Sequence, residues 1–263
     1  MAEYVGSERR QDIQRRLWQR RDWISSTPGV SDGGTSLGVL DPARAGWERL
    51  LDIAHEDGIL QFLFVDRDAC ERAVATNLGA EWKTIVSSAH TAAADKVLEA
   101  CERVIAAAEV PAGWRHTSLF NPTESQIAEV QALNLETGLV PYPAFYARSE
   151  SVPVVTTCLY DDRGALAATA SGAYRFHPAS RLAGHLFGAK LSVAPERRRM
   201  GMGKYVNAIM LRDSHAQLSW SAAIEQATDD NGPALSAIAA CGLAPVGGLT
   251  SVAATVLDEA ELD

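Results

Sequence analysis

The 263-residue chain has few cysteines, and none of them stand at the spacing of a metal or redox motif. Cys70, Cys101, Cys158 and Cys241 are widely separated, and no Cys-x-x-Cys occurs. This pattern excludes a disulfide framework and a zinc framework and indicates reduced thiols. We therefore predict that the protein has no metal site and is cytoplasmic.

Long apolar runs are also missing. No stretch approaches the roughly 18 apolar residues that indicate a membrane-spanning helix, and the polar, Arg-rich N-terminal residues do not resemble a signal peptide. The formal net charge is −9, from 24 Lys and Arg against 33 Asp and Glu, which argues against broad nucleic-acid binding. We therefore expect neither a membrane nor a nucleic acid as a partner.

The most informative segment that is present spans residues 191–204, with the sequence LSVAPERRRMGMGK. A β-type run leads into a basic loop, and a helix is predicted from Tyr205. This order presents backbone N–H groups to a phosphate. Gly201 and Gly203 have no Cβ, so a bulky anion can approach the main chain closely. Three consecutive arginines and Lys204 add positive charge, so the segment predicts a site for a phosphate-containing anion.

Two common phosphate loops do not fit this spacing. A Walker loop needs Gly five residues before the Gly-Lys pair and Ser or Thr after it, whereas Arg198 and Tyr205 stand there. A dinucleotide fingerprint needs a third Gly or Ala three residues after Gly203, where the chain has Val206.

Arg198, Gly201 and Gly203 instead form Arg-x-x-Gly-x-Gly, preceded by Val193-Ala-Pro-Glu196. These residues resemble the hallmark of the GNAT superfamily of acetyl-CoA-dependent N-acetyltransferases, Gln/Arg-x-x-Gly-x-Gly/Ala after a Val-x-Pro-Glu strand end. A second match follows 28 residues after Gly203, at Asn231-Gly-Pro-Ala234 and then Cys241-Gly-Leu243. The resemblance covers roughly residues 115–263.

The resemblance implies a mixed α/β sheet flanked by helices. It also implies acetyl-CoA as co-substrate, no metal, and direct attack by a primary amine, either a small molecule or an amino-terminal group. The strand before the loop would pair with the pantetheine arm and offer an N–H to the oxyanion, and the loop would bind the pyrophosphate. The implied cofactor-binding residues are Leu191, Ser192, Val193, Arg198, Arg199, Met200, Gly201, Met202, Gly203, Lys204 and Asn231.

The chain departs from the family at Ile238, where a Tyr often protonates the departing CoA thiolate. A thiol with a pKa of about 8.5 leaves as thiolate at pH 7 for a penalty of roughly 2 kcal/mol, so the missing acid would slow the reaction, or else catalysis has been lost. No motif marks the base that deprotonates the amine. His185, at the start of the strand before the loop, and Glu225, in the strand before Asn231, are the catalytic candidates, with His177 as a further histidine.

The N-terminal region carries no glycine phosphate loop, so no CoA site is expected there. Helical spacing with six arginines spans residues 3–24, and residues 25–38 have the composition of a loop or linker. Residues 39–112 alternate between helical and strand patterns, with the clearest helix at 90–108. By analogy with tandem members of the superfamily, this small α/β region is expected to be a degenerate GNAT-like half. The predicted divisions are 1–38, an Arg-rich helix and flexible linker; 39–112, the small α/β region; and 113–263, the acetyltransferase domain.

Two alternatives to an acetyltransferase of small amines follow from the same residues. Ile238 favours a non-catalytic acyl-CoA-binding protein with a degenerate site. The Arg-rich first helix favours a modifier of a protein or other macromolecule, with residues 1–110 as its recognition module. In that second case, removal of residues 1–38 is expected to spare the acetylation of small amines.

Overall fold

The computed structural model describes residues 3–256, in which ten strands form one mixed sheet flanked by helices. The strands are β1 Val30–Asp32, β2 Leu37–Val39, β3 Ile59–Val65, β4 Lys83–Ala93, β5 Arg115–Leu119, β6 Val154–Tyr160, β7 Leu166–Ala173, β8 His185–Val193, β9 Ala222–Ala227 and β10 Ala244–Thr255. The helices are α1 Glu8–Gln19, α2 Arg21–Ser26, α3 Pro42–Ala45, α4 Trp47–Asp57, α5 Arg67–Asn77, α6 Ala94–Ala107, α7 Glu124–Glu136, α8 Ala144–Ala147, α9 Met202–Leu218 and α10 Gly232–Ala240. The strand order is β1-β2-β3-β10-β4-β9-β8-β7-β6-β5, which confirms the predicted fold class.

No helix within residues 3–256 combines the length and the apolar character that crossing a bilayer requires.

The strand β10, near the C-terminal end of the described chain, lies within the sheet of the N-terminal half. It lies between β3 and β4 and runs antiparallel to both, with Val252 opposite Phe62 on one side and Val86 on the other. Val252 and Ala254 are buried in the same hydrophobic cluster as the apolar residues of β3 and α4. The core of the N-terminal half is therefore completed by a strand from the C-terminal end of the described chain.

Several helix ends show the standard capping interactions. The side chain of Asp66 accepts a hydrogen bond from the N–H of Ala69 at 2.8 Å and so begins α5. Thr123 and Gln126 form a reciprocal capping box at the start of α7. Gly58 ends α4 in the left-handed conformation, with φ +71°.

The predicted helix at 90–108 begins too early. The strand β4 continues to Ala93 because His90 and Thr91 pair with Glu225 and Ile224 of β9. This pairing is made with a strand more than 130 residues away, so it overrides the local helical pattern. The helix α6 begins at Ala94. The β-type pattern of residues 250–257 likewise predicts a final strand, but the strand already begins at Ala244, and residue 257 lies outside the described residues.

The prediction of a flexible linker at 25–38 is wrong. The structure has a hairpin there, in which Val30 of β1 pairs with Val39 of β2, and β2 continues the main sheet beside β3. All residues of both strands are buried. The many Gly and Ser residues of this segment serve a tight turn between short buried strands, which composition alone does not distinguish from a linker. The prolines and aromatic residues of 141–146 predict a loop, but the short helix α8 begins within this segment, with Ala144, Phe145 and Tyr146 buried.

Residues of α1 belong to the core, so the N-terminal segment is not expected to be removable. Ile13 and Leu17 are fully buried in the cluster that holds Leu50 and Phe62. Replacing Ile13 with Ala is expected to destabilise the protein by roughly 2–5 kcal/mol because it leaves a cavity. Urea unfolding measures the change, and Gln19→Ala, at an exposed position of the same helix, is the control. Equal stability of the two variants would contradict the packing of α1.

Candidate functional site

The two central strands of the C-terminal half separate partway along their length. The strands β8 and β9 are parallel, and they pair through residues 185–187 of β8 and residues 222–224 of β9. No pair follows after Phe187 and Ile224, although β8 continues to Val193 and β9 to Ala227. The second halves of the two strands therefore diverge and leave a V-shaped opening, here called the splay.

A β-bulge lies in β8 within the splay. Ala189 is opposite Ser171 of β7 and Ser192 is opposite Thr169, so two residues of β8 face one residue of β7. The first of the two is Lys190, which has φ +54°. Because a bulge leaves a residue outside the ladder, it frees backbone hydrogen-bonding groups beside the splay.

The N-terminus of α9 follows β8 and carries no cap from a side chain. Gly201, the N-cap residue, has φ +78°, and the first turn contains no acidic residue. Arg199 also has a positive φ, of +64°, so the loop turns sharply twice before the helix begins. The unpaired N–H groups of the first turn and the helix dipole attract an anion at this end.

These elements surround one cleft with a volume of about 620 Å³, which is within the range of small-molecule binding sites. Of the predicted cofactor-binding residues, Met200 does not line the cleft and is exposed. The structure brings the others together there: Leu191, Ser192, Val193, Arg198, Arg199, Gly201, Met202, Gly203, Lys204 and Asn231.

Asn231 lies at the edge of this cleft as the N-cap of α10. Its Oδ1 accepts a hydrogen bond from the N–H of Ala234 at 3.2 Å. The motif spacing of Asn231 and Ala234 therefore corresponds to a capping interaction, which fixes the start of α10 against the cleft.

Sequence reasoning missed the part of the cleft wall that comes from α7 and α10. Thr137 and Leu139 follow α7, and Ser236 and Ala237 lie on α10. Thr137 shares a hydrogen bond of 2.9 Å with the hydroxyl of Ser192 in β8. These are common residue types far apart in sequence, and no motif marks them.

Arg197 is already engaged by the protein. Its Nη2 donates to Asp161 Oδ2 at 2.8 Å, and its guanidinium lies 5.5 Å from the centre of the Trp114 ring. The hydrogen bond from the N–H of Ala165 lowers the pKa of Asp161, with further contributions from the N–H of Arg163 and from Arg197. Arg197 is thus held by Asp161. The cleft offers three other cations of the loop to an anion: Arg198, Arg199 and Lys204.

Glu225 lies directly after Ile224, the last residue of β9 that pairs with β8, at the apex of the splay. Its carboxylate is buried, and Asn207 of α9 donates to Oε1 at 3.0 Å and to Oε2 at 3.1 Å. A Cβ at Gly188 of β8 would lie 2.7 Å from Oε1, so the glycine makes room for the carboxylate between the strands. Burial raises the pKa of Glu225 to about 7, although the hydrogen bonds from Asn207 act in the opposite direction.

The histidine candidates lie elsewhere. His185 is at the other end of β8 from the loop, about 26 Å from Val193 at 3.3 Å per residue, and its Nδ1 is 3.1 Å from the carbonyl of Ala183. His177 accepts a hydrogen bond from the N–H of Ala179 at 2.9 Å, in the segment after β7. His185 lies at the paired end of β8, away from the splay, and neither histidine lines the cleft, so the geometry does not support a catalytic role for His185.

Ile238 is buried and packs in the core rather than facing the cleft. Cys241, the residue that ends α10, is fully buried in the same cluster. Within residues 3–256, no group of three or more His, Cys, Asp or Glu side chains is arranged to hold a metal ion.

This fold is similar to that of solved acetyltransferase structures. No family model and no curated protein matches the chain. A solved tandem GNAT protein from the clavulanic acid biosynthesis pathway matches with a TM-score of 0.55 at 19% identity, over 87% of this chain and 77% of that one. A GCN5-related N-acetyltransferase from Kribbella flavida matches with a TM-score of 0.55 at 13% identity, over 92% and 93%. The chain has the GNAT fold. A GCN5-related N-acetyltransferase-like protein from Streptococcus suis, at 10% identity and a TM-score of 0.53, matches over 94% and 99%.

The GNAT fold of this chain is a tandem one, since both halves contain the order strand, helix, strand, helix. In the C-terminal half these are β8, α9, β9 and α10, and in the N-terminal half β3, α5, β4 and α6. The N-terminal half has no splay, because β10 fills the space between β3 and β4. Its helix α5 is capped by Asp66 and carries Asp68 in the first turn, which disfavours an anion at that end.

Proposed function

We propose that the protein is an N-acyltransferase that transfers an acetyl group from acetyl-CoA to a primary amine by direct attack within a ternary complex. The observation that carries the proposal is the uncapped, basic N-terminus of α9, which opens into the same cleft as the splay of β8 and β9. One end of the cleft suits a pyrophosphate, and the other offers free strand backbone to an extended amide-containing arm.

The residues present fit acetyl-CoA as co-substrate. A Cβ at Gly203 would touch only Val193 Cγ2, at 3.4 Å, so the space in front of the first turn of α9 is open to a ligand. The N–H groups of this turn, together with Arg198 and Lys204, would hold the pyrophosphate. The backbone of residues 191–193 would hold the pantetheine arm. Acetyl-CoA would supply an acetyl group activated as a thioester.

The chain's own residues then serve three steps. The amine nitrogen attacks the carbonyl carbon, the new C–N bond forms, and the C–S bond breaks with release of CoA. A backbone N–H freed by the bulge at Lys190 stabilises the developing oxyanion. Glu225 lies behind the wall of the cleft at the apex of the splay, so it accepts the proton of the amine through water, and its raised pKa matches a base that works near neutral pH.

No Tyr side chain within residues 3–256 is placed to protonate the departing thiolate. The described residues that line the cleft include no Tyr, His, Asp or Glu. Lys204 and Arg198 lower the free energy of a thiolate in this cleft because they place positive charge around it. Departure as thiolate adds roughly 2 kcal/mol to the barrier at pH 7, which slows the reaction but permits it.

Release of free CoA from acetyl-CoA, measured across a panel of amines, tests the proposal. We expect release that requires both an amine and the intact loop, with Gly203→Val as the blank. Binding of acetyl-CoA without release by any small amine or amino-terminal peptide would support the alternative, a non-catalytic acyl-CoA-binding protein. Absence of binding would contradict the assignment of the cleft.

A further inference from the structure

A histidine lies opposite Glu225 on the buried face of the sheet. His90 of β4 is the direct partner of Glu225 of β9 in the antiparallel ladder. Directly opposite residues carry their side chains on the same face, with Cβ atoms about 4.5–5.5 Å apart. Ala92 and Ala223, two positions further along the two strands, pack into the core that α6, α9 and α10 cover. His90 and Glu225 therefore share this covered face.

The ring of His90 has an unused nitrogen on that face. The residue is 5% exposed, and Nδ1 is buried without a hydrogen-bond partner among the described residues. Buried polar groups are normally hydrogen-bonded, and an imidazole nitrogen either accepts or donates, according to its protonation. Nδ1 of His90 is thus available to exchange a proton with a group beside it.

The other polar groups that contact Glu225 do not exchange protons near neutral pH. Asn207 donates to both carboxylate oxygens, at 3.0 and 3.1 Å, and its Nδ2 lies 3.7 Å from Cys241 Sγ. An amide does not titrate in this range. Contact with Cys101 and burial raise the pKa of Cys241, so this thiol keeps its proton. Of these described neighbours, the histidine is the residue type that exchanges protons near neutral pH.

The row of paired residues continues from the buried carboxylate to the surface. On its other side His90 is opposite Pro245 of β10, which is exposed. The pairing of β4 with β10 is then interrupted until Thr250, and residues 246–249 between them are half-buried or exposed. The strand β9 separates His90 from the splay. A proton on Glu225 can therefore leave on this side while substrates fill the cleft.

We propose that His90 takes the proton from Glu225 and passes it to solvent, so that the carboxylate is restored for the next turnover. The proton that the amine loses moves through water to Glu225, and from its carboxyl group through a bridging water to Nδ1 of His90. The imidazolium then releases the proton of Nε2 to bulk water, so one proton enters the pair and one leaves it.

His90 does not touch the substrates in this scheme and acts only through Glu225. Its part in turnover rests on the proposed function, whereas the exchange of a proton between the two side chains does not. Kinetics and a titration of the protein without substrates therefore test the two parts separately.

The kinetic test uses the full-length protein and the amine that gives the fastest release of CoA. His90→Gln, which keeps a polar side chain but cannot carry the proton, is expected to lower kcat at least about tenfold, within the contribution of a general base. Because the relay acts through Glu225, adding His90→Gln to Glu225→Gln should cause no further loss. His55→Gln, at an exposed position of α4, is the control and should keep the parent kcat.

The titration follows the ¹⁵N signal of Nδ1, which reports whether this nitrogen carries a proton and which a ring that only packs would not change. The signal should respond at about pH 7, where Glu225 titrates, and the response should be lost in Glu225→Gln. The signal that is missing from His90→Gln assigns the resonance. Parent affinity of His90→Gln for acetyl-CoA shows that the variant is folded.

Three results overturn the relay and leave the proposed function standing when CoA release still requires an amine. They are a parent-like kcat of His90→Gln, a loss of kcat that is as large in the Glu225→Gln background as in the parent, and an Nδ1 signal that does not change near pH 7. If no amine is turned over, the proposed function is contradicted, whereas a response of Nδ1 that depends on Glu225 still supports the exchange of the proton.

Discussion

Gly203→Val is expected to weaken acetyl-CoA binding at least tenfold, which corresponds to about 1.4 kcal/mol, and to remove turnover at ordinary substrate concentrations. The protein itself tolerates the change, since a Cβ at this position would meet only Val193 Cγ2 at 3.4 Å. The valine side chain instead occupies the space that the pyrophosphate requires before the first turn of α9. Isothermal titration with acetyl-CoA measures the loss.

Gly247→Val is the matched control for this experiment. A Cβ at Gly247 would meet no atom within 4 Å, its φ is not positive, and it does not line the cleft. The control should keep the parent affinity, and both variants should keep the parent unfolding transition. Parent-like affinity in the Gly203 variant would show that the co-substrate does not approach the N-terminus of α9.

Glu225→Gln is expected to lower kcat by about 10²–10⁴-fold, the range for loss of a general base. Asn207 can still donate to the amide oxygen of the glutamine, so the apex of the splay keeps its packing. In the parent, kcat/KM should rise as the pH passes through about 7, because the carboxyl must lose its proton before it can act as a base. The variant should lack this rise when the same amine is used at each pH.

The same carboxyl predicts an opposite trend in stability. Because folding raises the pKa of Glu225 from 4.5 to about 7, the folded protein binds more protons than the unfolded chain between these two values. Its contribution to stability is therefore fully present below pH 4.5 and is lost as the pH rises to about 7. Relative to pH 4, Glu225→Gln should gain up to about 3 kcal/mol over the parent at pH 8. Urea unfolding at both pH values measures this gain, and a difference independent of pH would contradict the raised pKa.

The basic glycine loop and its surroundings show which features can be predicted from local sequence. Arg198, Gly201 and Gly203 were recognised from their resemblance to the GNAT hallmark, because the turn that they form depends on residues that are neighbours in the chain. The catalytic candidate Glu225 was identified from sequence only as one of two comparable residues, because the burial that raises its pKa depends on residues from other elements, such as Gly188.

Pairing between strands that are distant in the chain determined the elements that local sequence did not predict. The hairpin at 30–39 and the extension of β4 through His90 owe their strand conformation to partners elsewhere in the chain, and local composition carries no record of those partners. The sequence by itself determined the basic glycine loop and the α/β class. Only the tertiary structure decided that β10 fills the gap of the N-terminal half and that Glu225, rather than His185, lies at the splay. A strand's neighbours follow from packing and sheet register across the whole chain, whereas a loop's geometry follows from its own few residues.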